Sequence, residues 1–202
     1  MTDLTVPQTA SDKLSYERAF TDAVRKLDKG QLAELRRNAG NSVSDAHGIS
    51  WFYSLLGSFH VKENDEDLYL LIASLMAMDK NALSENPRRF IGNFGKTVLH
   101  VKKESAGDGI DRRFGILLDA QFDTPGSGEL AFRLRQMVKL ALSKGAMIDW
   151  SQLLYDLRRW DSPDKWIQKK WAREYYTPDL PESQVPELAS NEQLISINEG
   201  VN

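Results

Sequence analysis

Residues 68–78 form the longest largely apolar stretch of the chain, and a carboxylate, Asp67 or Asp79, closes it at each end. The stretch is far short of the roughly 20 residues that a membrane span needs. Being apolar on nearly every side, it reads as a core helix that other elements must cover. A chain of 202 residues can supply that cover and bury a core without disulfide or metal staples. Its 41% hydrophobic and 27% charged residues fit an ordinary globular protein rather than a disordered or fibrous one. There is no cysteine, which excludes disulfide frameworks, thiolate zinc sites, iron–sulfur clusters and cysteine nucleophiles together.

The rest of the chain reads as further helices. Residues 14–27 place Phe20, Ala23, Val24 and Leu27 at helical spacing ahead of Gly30, and residues 31–38 form a short helix that stops at Gly40. An aromatic-rich helix is expected over 49–59. The acids Glu63, Asp65, Glu66 and Asp67 then open the core helix, where carboxylates in a first turn suit the macrodipole; they are a cap signature, not a catalytic pair. From Asn86-Pro87 to Val101 the pattern is weaker and is read as helical, with an extended 97–101 as the alternative. Further helices are expected over 112–121, 129–144, 150–160 with Asp149 as cap, and 164–176 opened by Ser162-Pro163-Asp164; a turn is expected at 124–128. No alternating strands and no long-period repeat are visible, so the fold class is all-α. The glycine-bearing residues 105–109 divide it into two small helical bundles, 12–104 and 110–176, after a flexible N-terminus at 1–11. Residues 177–202 contain Pro178, Pro181 and Pro186, acids and no aromatic, and read as an irregular acidic tail.

Catalytic patterns are missing. Gly107-Asp108-Gly109 and Gly126-Ser127-Gly128 lack the third glycine and the preceding strand of a dinucleotide site, and no phosphate loop occurs. His47, His60 and His100 are too scattered for a metal motif. Pro163-Asp164 and Pro178-Asp179 lack the partner carboxylates of a metal-dependent nuclease. No enzymatic activity, cofactor or metal is expected. Residues 1–11 carry no basic segment followed by an apolar block, so nothing there resembles a secretion signal; the expected location is cytoplasmic, with no membrane partner.

Charge is distributed unevenly. The chain is formally −3, but from Thr177 onward Asp179, Glu182, Glu187, Glu192 and Glu199 stand without any Lys or Arg, so that segment carries −5 and the body is +2. Cations occur in pairs: Arg36-Arg37, Arg88-Arg89, Lys102-Lys103, Arg112-Arg113, Arg158-Arg159 and Lys169-Lys170. On the last expected helix Lys165, Lys169 and Arg173 fall at i, i+4, i+8 as one basic stripe, opposite an apolar stripe of Ile167, Trp171 and Tyr175. Arg135 and Lys139 share a face of the long helix. Two such helices side by side could track a phosphate backbone without reading bases. The competing reading is a helical protein–protein adaptor whose cations serve solubility and whose acidic tail does the docking.

The sequence also resembles a known family. Leu32-Ala33-Glu34-Leu35-Arg36-Arg37, Arg112-Arg113-Phe114 with Leu117-Leu118-Asp119, Leu134-Arg135-Gln136-Met137-Val138-Lys139-Leu140 with Lys144-Gly145, Asp149-Trp150 with Leu153-Leu154, Asp156-Leu157 and Trp160, and Lys169-Lys170-Trp171-Ala172-Arg173-Glu174-Tyr175-Tyr176 together resemble CasB. CasB is the small subunit of Cascade, the type I-E CRISPR surveillance complex of antiviral defence. The resemblance spans most of residues 14–176. It implies a non-catalytic, all-helical subunit, paired head to tail with a second copy of itself. Its expected partners are guide RNA, both strands of target DNA, CasC backbone subunits, the CasA large subunit and the other Cascade subunits. Its role would be to brace guide and target and hold the displaced strand of the R-loop. Carried onto this chain, the candidate nucleic-acid contacts are Arg36, Arg37, Arg112, Arg113, Arg135, Lys139, Lys169, Lys170 and Arg173, with Lys165 added from the basic stripe. Trp150, Trp160, Trp166 and Trp171 are expected in the core rather than as stacking platforms.

Overall fold

Side-chain caps written into the sequence set where several helices begin. In the computed structural model, which describes residues 12–105, 109–121 and 128–177, Asp28 accepts from the Gln31 N–H at 2.8 Å while Gln31 Oε1 accepts from the Asp28 N–H at 3.1 Å. This reciprocal box satisfies donors that a helix start leaves open. Asn93 and Asp149 each cap by accepting from the N–H three residues on, at 3.2 and 3.0 Å. The helices are α1 (Ser15–Arg25), α2 (Lys29–Arg37), α3 (Phe52–Ser58), α4 (Glu66–Met76), α5 (Phe94–Lys103), α6 (Gly109–Asp119), α7 (Glu129–Ser143), α8 (Trp150–Leu157) and α9 (Trp166–Tyr176), with 3-10 turns at Asp12–Leu14 and Glu63–Asp65. The described residues contain no strand, and the chain is all-α as expected. The expected turn at 124–128 falls largely outside the described residues, and residues 1–11, the centre of the 105–109 boundary and the acidic tail from Pro178 also lie outside them.

Several helix starts and ends differ from the periodicity, among them α3, which begins at Phe52 rather than 49, and α6, which begins at Gly109 rather than 112. The 86–101 segment becomes helical only at Phe94, since Asn81 Oδ1 accepts from the Arg88 N–H at 3.0 Å and holds the preceding stretch of chain against the turn after α4. Residues 97–101 are helical, not extended. The helix after Asp149 stops at Leu157, and Trp160 turns its indole N–H onto the Ala120 carbonyl at 2.9 Å. The last helix starts at Trp166 because Lys165 adopts a left-handed conformation, φ +50°, at the end of the Ser162-Pro163-Asp164 turn.

The apolar run is the centre of the molecule. Every residue of α4 from Leu68 to Met76 is buried, and α1, α2, α7 and α8 pack around it. One continuous apolar cluster extends from Phe20 to Tyr175. The sequence division at 105–109 is crossed repeatedly: α1 packs on α8 and α5 on α9. Polar ties cross the same division, with Trp150 Nε1 donating to Asp79 at 2.9 Å and Thr97 Oγ1 to the Met147 carbonyl at 2.9 Å.

One seam contains a buried charge. The Glu17 side chain is 3% exposed and accepts from Arg158 Nη1 at 2.9 Å, with Arg159 further off at 4.0 Å. Arg158 also stacks its guanidinium 5.1 Å from the Tyr16 ring centre. Removing the cation strands a carboxylate that water cannot reach. Because the Arg158 side chain itself stays 31% exposed, the loss for Arg158→Ala falls below that of a fully buried pair, at about 2 kcal/mol. Urea unfolding measures it, and a change under about 0.5 kcal/mol, typical of a surface position, would show that Glu17 does not need this partner.

The start of α6 is held electrostatically. Asp111 accepts from Lys102 Nζ at 2.7 Å and from the Tyr175 hydroxyl, joining α5, α6 and α9. The Lys102 contact first, then Tyr175, holds the Asp111 carboxyl below the usual carboxylate range. A depressed carboxyl stabilises the fold above the unfolded pKa, and that contribution disappears as pH falls through the folded value. Buried Asp156 has the opposite sign: burial raises its pKa, partly offset by its bonds from Trp171 and Gln152. Its stability deficit at neutral pH is therefore recovered on acidification. Asp111→Asn is expected to melt lower than wild type at neutral pH, with the two converging as pH drops below the carboxylate range. A constant offset at all pH values would place the effect in packing instead.

Candidate nucleic-acid interface

The sequence-derived cations occupy three regions of the helical surface. Arg36 and Arg37 lie exposed in the last turn of α2, where cations suit the negative end of the helix dipole. Arg36 leans toward the Ala77 carbonyl at 3.5 Å, the outer limit of a hydrogen bond. Arg135, on α7, reaches the chain just past α2. Gly40 there has φ +102°, and a Cβ on it would lie 2.6 Å from Arg135 Nη1, so the absent side chain is what makes room for the guanidinium. Arg135 Nε is buried with no partner among the described residues, which makes this arginine part packing element. Lys139, one turn on, is exposed. The first group is therefore Arg36, Arg37, Arg135 and Lys139, from α2 and α7.

Arg112 and Arg113 form the second group, exposed on α6. Arg113 lines a small concavity between α6 and α7 together with Arg133, Gln136 and Met137. The third group is on α9. Ile167, Trp171 and Tyr175 are buried as the spacing predicts, and Lys169, Lys170 and Arg173 are exposed. Lys165 departs from the expected stripe: it precedes the helix in a left-handed conformation, so only Lys169 and Arg173 keep the i, i+4 relation on α9. The three core tryptophans are buried with their indole N–H groups bound, Trp150 to Asp79, Trp160 to the Ala120 carbonyl and Trp171 to Asp156 at 2.6 Å; Trp166 is half-buried.

A fourth basic region was not singled out from the sequence. Lys96, His100 and Lys103 recur at i, i+4, i+7 along α5, all exposed, and with Arg88 and Phe90 they line a concavity of about 280 Å³ closed on one side by Glu174 of α9. Arg88 and Phe90 also border a larger groove of about 830 Å³ flanked by Arg18, Arg25 and Arg89. Arg25 is committed, donating to the Ala82 carbonyl and to Asp22, both at 2.8 Å. The helical spacing of the α5 cations was readable in advance; the irregular path of 86–93 that brings Arg88 beside them was not. Among the described residues no three His, Cys, Asp or Glu side chains gather as a metal site, and no helix is long and apolar enough to cross a membrane.

These features define an all-helical protein whose exposed faces carry grouped cations over a single apolar core. Residues 31–176 match the family described as CRISPR-associated protein Cse2. A CRISPR-associated protein Cse2 of Thermus thermophilus is 34% identical over 117 residues, 57% of this chain; the match spans 59% of that relative's length. The crystal structure of M. ruber CasB superimposes with a TM-score of 0.65 at 30% identity, covering 81% of this chain and 93% of that one. A chain of a CRISPR RNA-guided surveillance complex shares the fold with a TM-score of 0.64 at 20% identity, over 81% and 92%. The chain belongs to the Cse2 (CasB) family.

Proposed function

We propose that this chain is the non-catalytic small subunit of a CRISPR Cascade complex, bracing guide RNA and target DNA and holding the displaced strand of the R-loop. The observation that carries the reading is family membership combined with groups of exposed cations on α2, α5, α6, α7 and α9. Opening a target duplex against a guide is nearly balanced energetically, so a few backbone contacts suffice to decide whether the open state persists. The candidate contacts are Arg36, Arg37, Arg112, Arg113, Lys139, Lys169, Lys170 and Arg173, with Arg135 and Lys165 at the edges of their groups. Partners are the guide RNA, both DNA strands, a second copy of the chain, CasC-type backbone subunits and the CasA-type large subunit, in the cytoplasm. No cofactor enters this role.

The test is co-expression with the other subunits of such a complex and a guide RNA. The chain is expected to co-elute with RNA-loaded particles and to crosslink to target DNA through α9. Co-elution without any nucleic-acid crosslink would favour the adaptor role. Exclusion from the particles would overturn the proposal.

A further inference from the structure

The cation-free acidic segment of the chain follows α9, whose end lies beside a basic concavity. α5 and α9 advance in the same direction: at the cap of α5, Asn93 Nδ2 points to the Lys170 carbonyl midway along α9 at 3.5 Å, and in the last turn of α5, Lys102 Nζ lies 5.1 Å from the Tyr175 ring centre near the end of α9. The end of α9 therefore stands next to the last turn of α5, which carries His100, Lys102 and Lys103. Glu174 and Lys103 line the same concavity, with Arg88, Phe90, Lys96 and His100. Glu174 is its one carboxylate, and Arg88, Lys96 and Lys103 enter no ion pair among the described residues.

Three residues beyond Glu174 the sequence passes into the segment with Asp179, Glu182, Glu187, Glu192 and Glu199 and no cation. Extended chain covers about 3.3 Å per residue, so Asp179 and Glu182 fall within roughly 7 and 17 Å of Thr177. Both are within reach of the concavity. Tethering at that distance gives the carboxylates a millimolar effective concentration, enough for weak charge pairing to be populated.

We infer that residues 178–202 dock on the α5–α9 concavity of the free protein, their carboxylates occupying the cationic places that phosphates take when nucleic acid binds. The docking itself follows from charge and position; the competition rests on the function proposed above. A tail bound for about 70–90% of the time weakens apparent nucleic-acid affinity roughly three- to tenfold, since only the open fraction binds. Phosphate-rich ligands displace it, so the subunit would engage the crowded phosphates of an assembled complex in preference to stray short strands.

The absence of cysteine makes the test clean. A nitroxide on Ser190→Cys of the full chain, labelled with nitrogen-15, is expected to broaden the amide signals of Lys96, His100 and Lys103. The broadening should vanish at about 0.5 M salt, where the screening length is only a few ångströms. It should also vanish when the five tail acids are changed together to Asn and Gln. No broadening overturns docking. Broadening seen only when the nitroxide sits on a separate, isotopically unlabelled copy overturns it too, since the occupant would then be a second chain's tail. Oligothymidine binding at low salt supplies the second readout: the neutralised-tail chain is expected to bind more tightly by the same three- to tenfold factor. Docking with unchanged oligothymidine affinity would overturn competition at this surface, which is a failure of the nucleic-acid reading and not of the tail contact.

Discussion

Gly95→Ala is expected to lower the unfolding free energy by about 4 kcal/mol, beyond the usual range for overpacking. A Cβ at residue 95 would lie 2.1 Å from the Trp171 carbonyl oxygen, 2.8 Å from its carbon and 2.9 Å from its Cα. All three are backbone atoms of α9, so no rotamer change relieves the clash and the helices must separate. Separation disturbs a dense aromatic seam, since the Trp171 ring lies 5.3 Å from Phe94 and 4.9 Å from Trp160 and its N–H binds Asp156 at 2.6 Å. Gly115 is the internal control: a Cβ there meets nothing within 4 Å, and alanine in a helix gains about 0.5–1 kcal/mol over glycine. Denaturant unfolding of both variants reads the contrast. Gly95→Ala within 1 kcal/mol of wild type would mean that α5 and α9 are not in backbone contact. The seam also sets Lys96, His100 and Lys103 of α5 beside Glu174 of α9.

Lys169→Glu with Arg173→Glu should leave the melting temperature nearly unchanged and weaken target-DNA retention by the assembled complex about tenfold for each phosphate left without its cation. Both side chains are exposed, while α9 is anchored by Ile167, Trp171 and Tyr175, each at most 2% exposed. Every phosphate released in this way should flatten the salt dependence by about 0.7 for a single strand. The weakening should be similar across sequences, because backbone contacts carry no base information. Guide-RNA loading should change less than DNA retention. Unchanged affinity and slope would mean that this face meets protein or solvent, and would move the search to Arg36, Arg112 and the α5 cations.

The parts of the fold that were legible in the sequence are those governed by local chemistry. The all-round apolar run at 68–78 announced a central helix, and Asp149 and the 167, 171, 175 spacing placed α8 and α9 with their buried faces. Three of the misplaced ends share a cause in contacts between segments distant in sequence or in backbone geometry. Asn81 withholds residues near Arg88 from α5, Ala120 draws Trp160 out of α8, and the left-handed Lys165 shortens α9. The exposed pairs at 36–37, 112–113 and 169–170 follow from helical phase, whereas Arg135 looked like a free cation until its fit against Gly40 was visible. Gly95 gave no sequence signal, since a helical glycine matters only through what approaches it. The α5 stripe was readable, but its neighbours Arg88 and Glu174 come from an irregular loop and another helix.

The role proposed for this chain is to contribute phosphate contacts to an assembled guide-RNA complex. The most direct measurement is the salt dependence of target-strand binding by complexes assembled with and without the chain, under identical subunit and guide concentrations. Log affinity is expected to fall more steeply with log salt when the chain is present, by about 0.7 for every phosphate it neutralises on a single strand, together with slower release of the opened target. Equal slopes and equal release rates in the two preparations would contradict it.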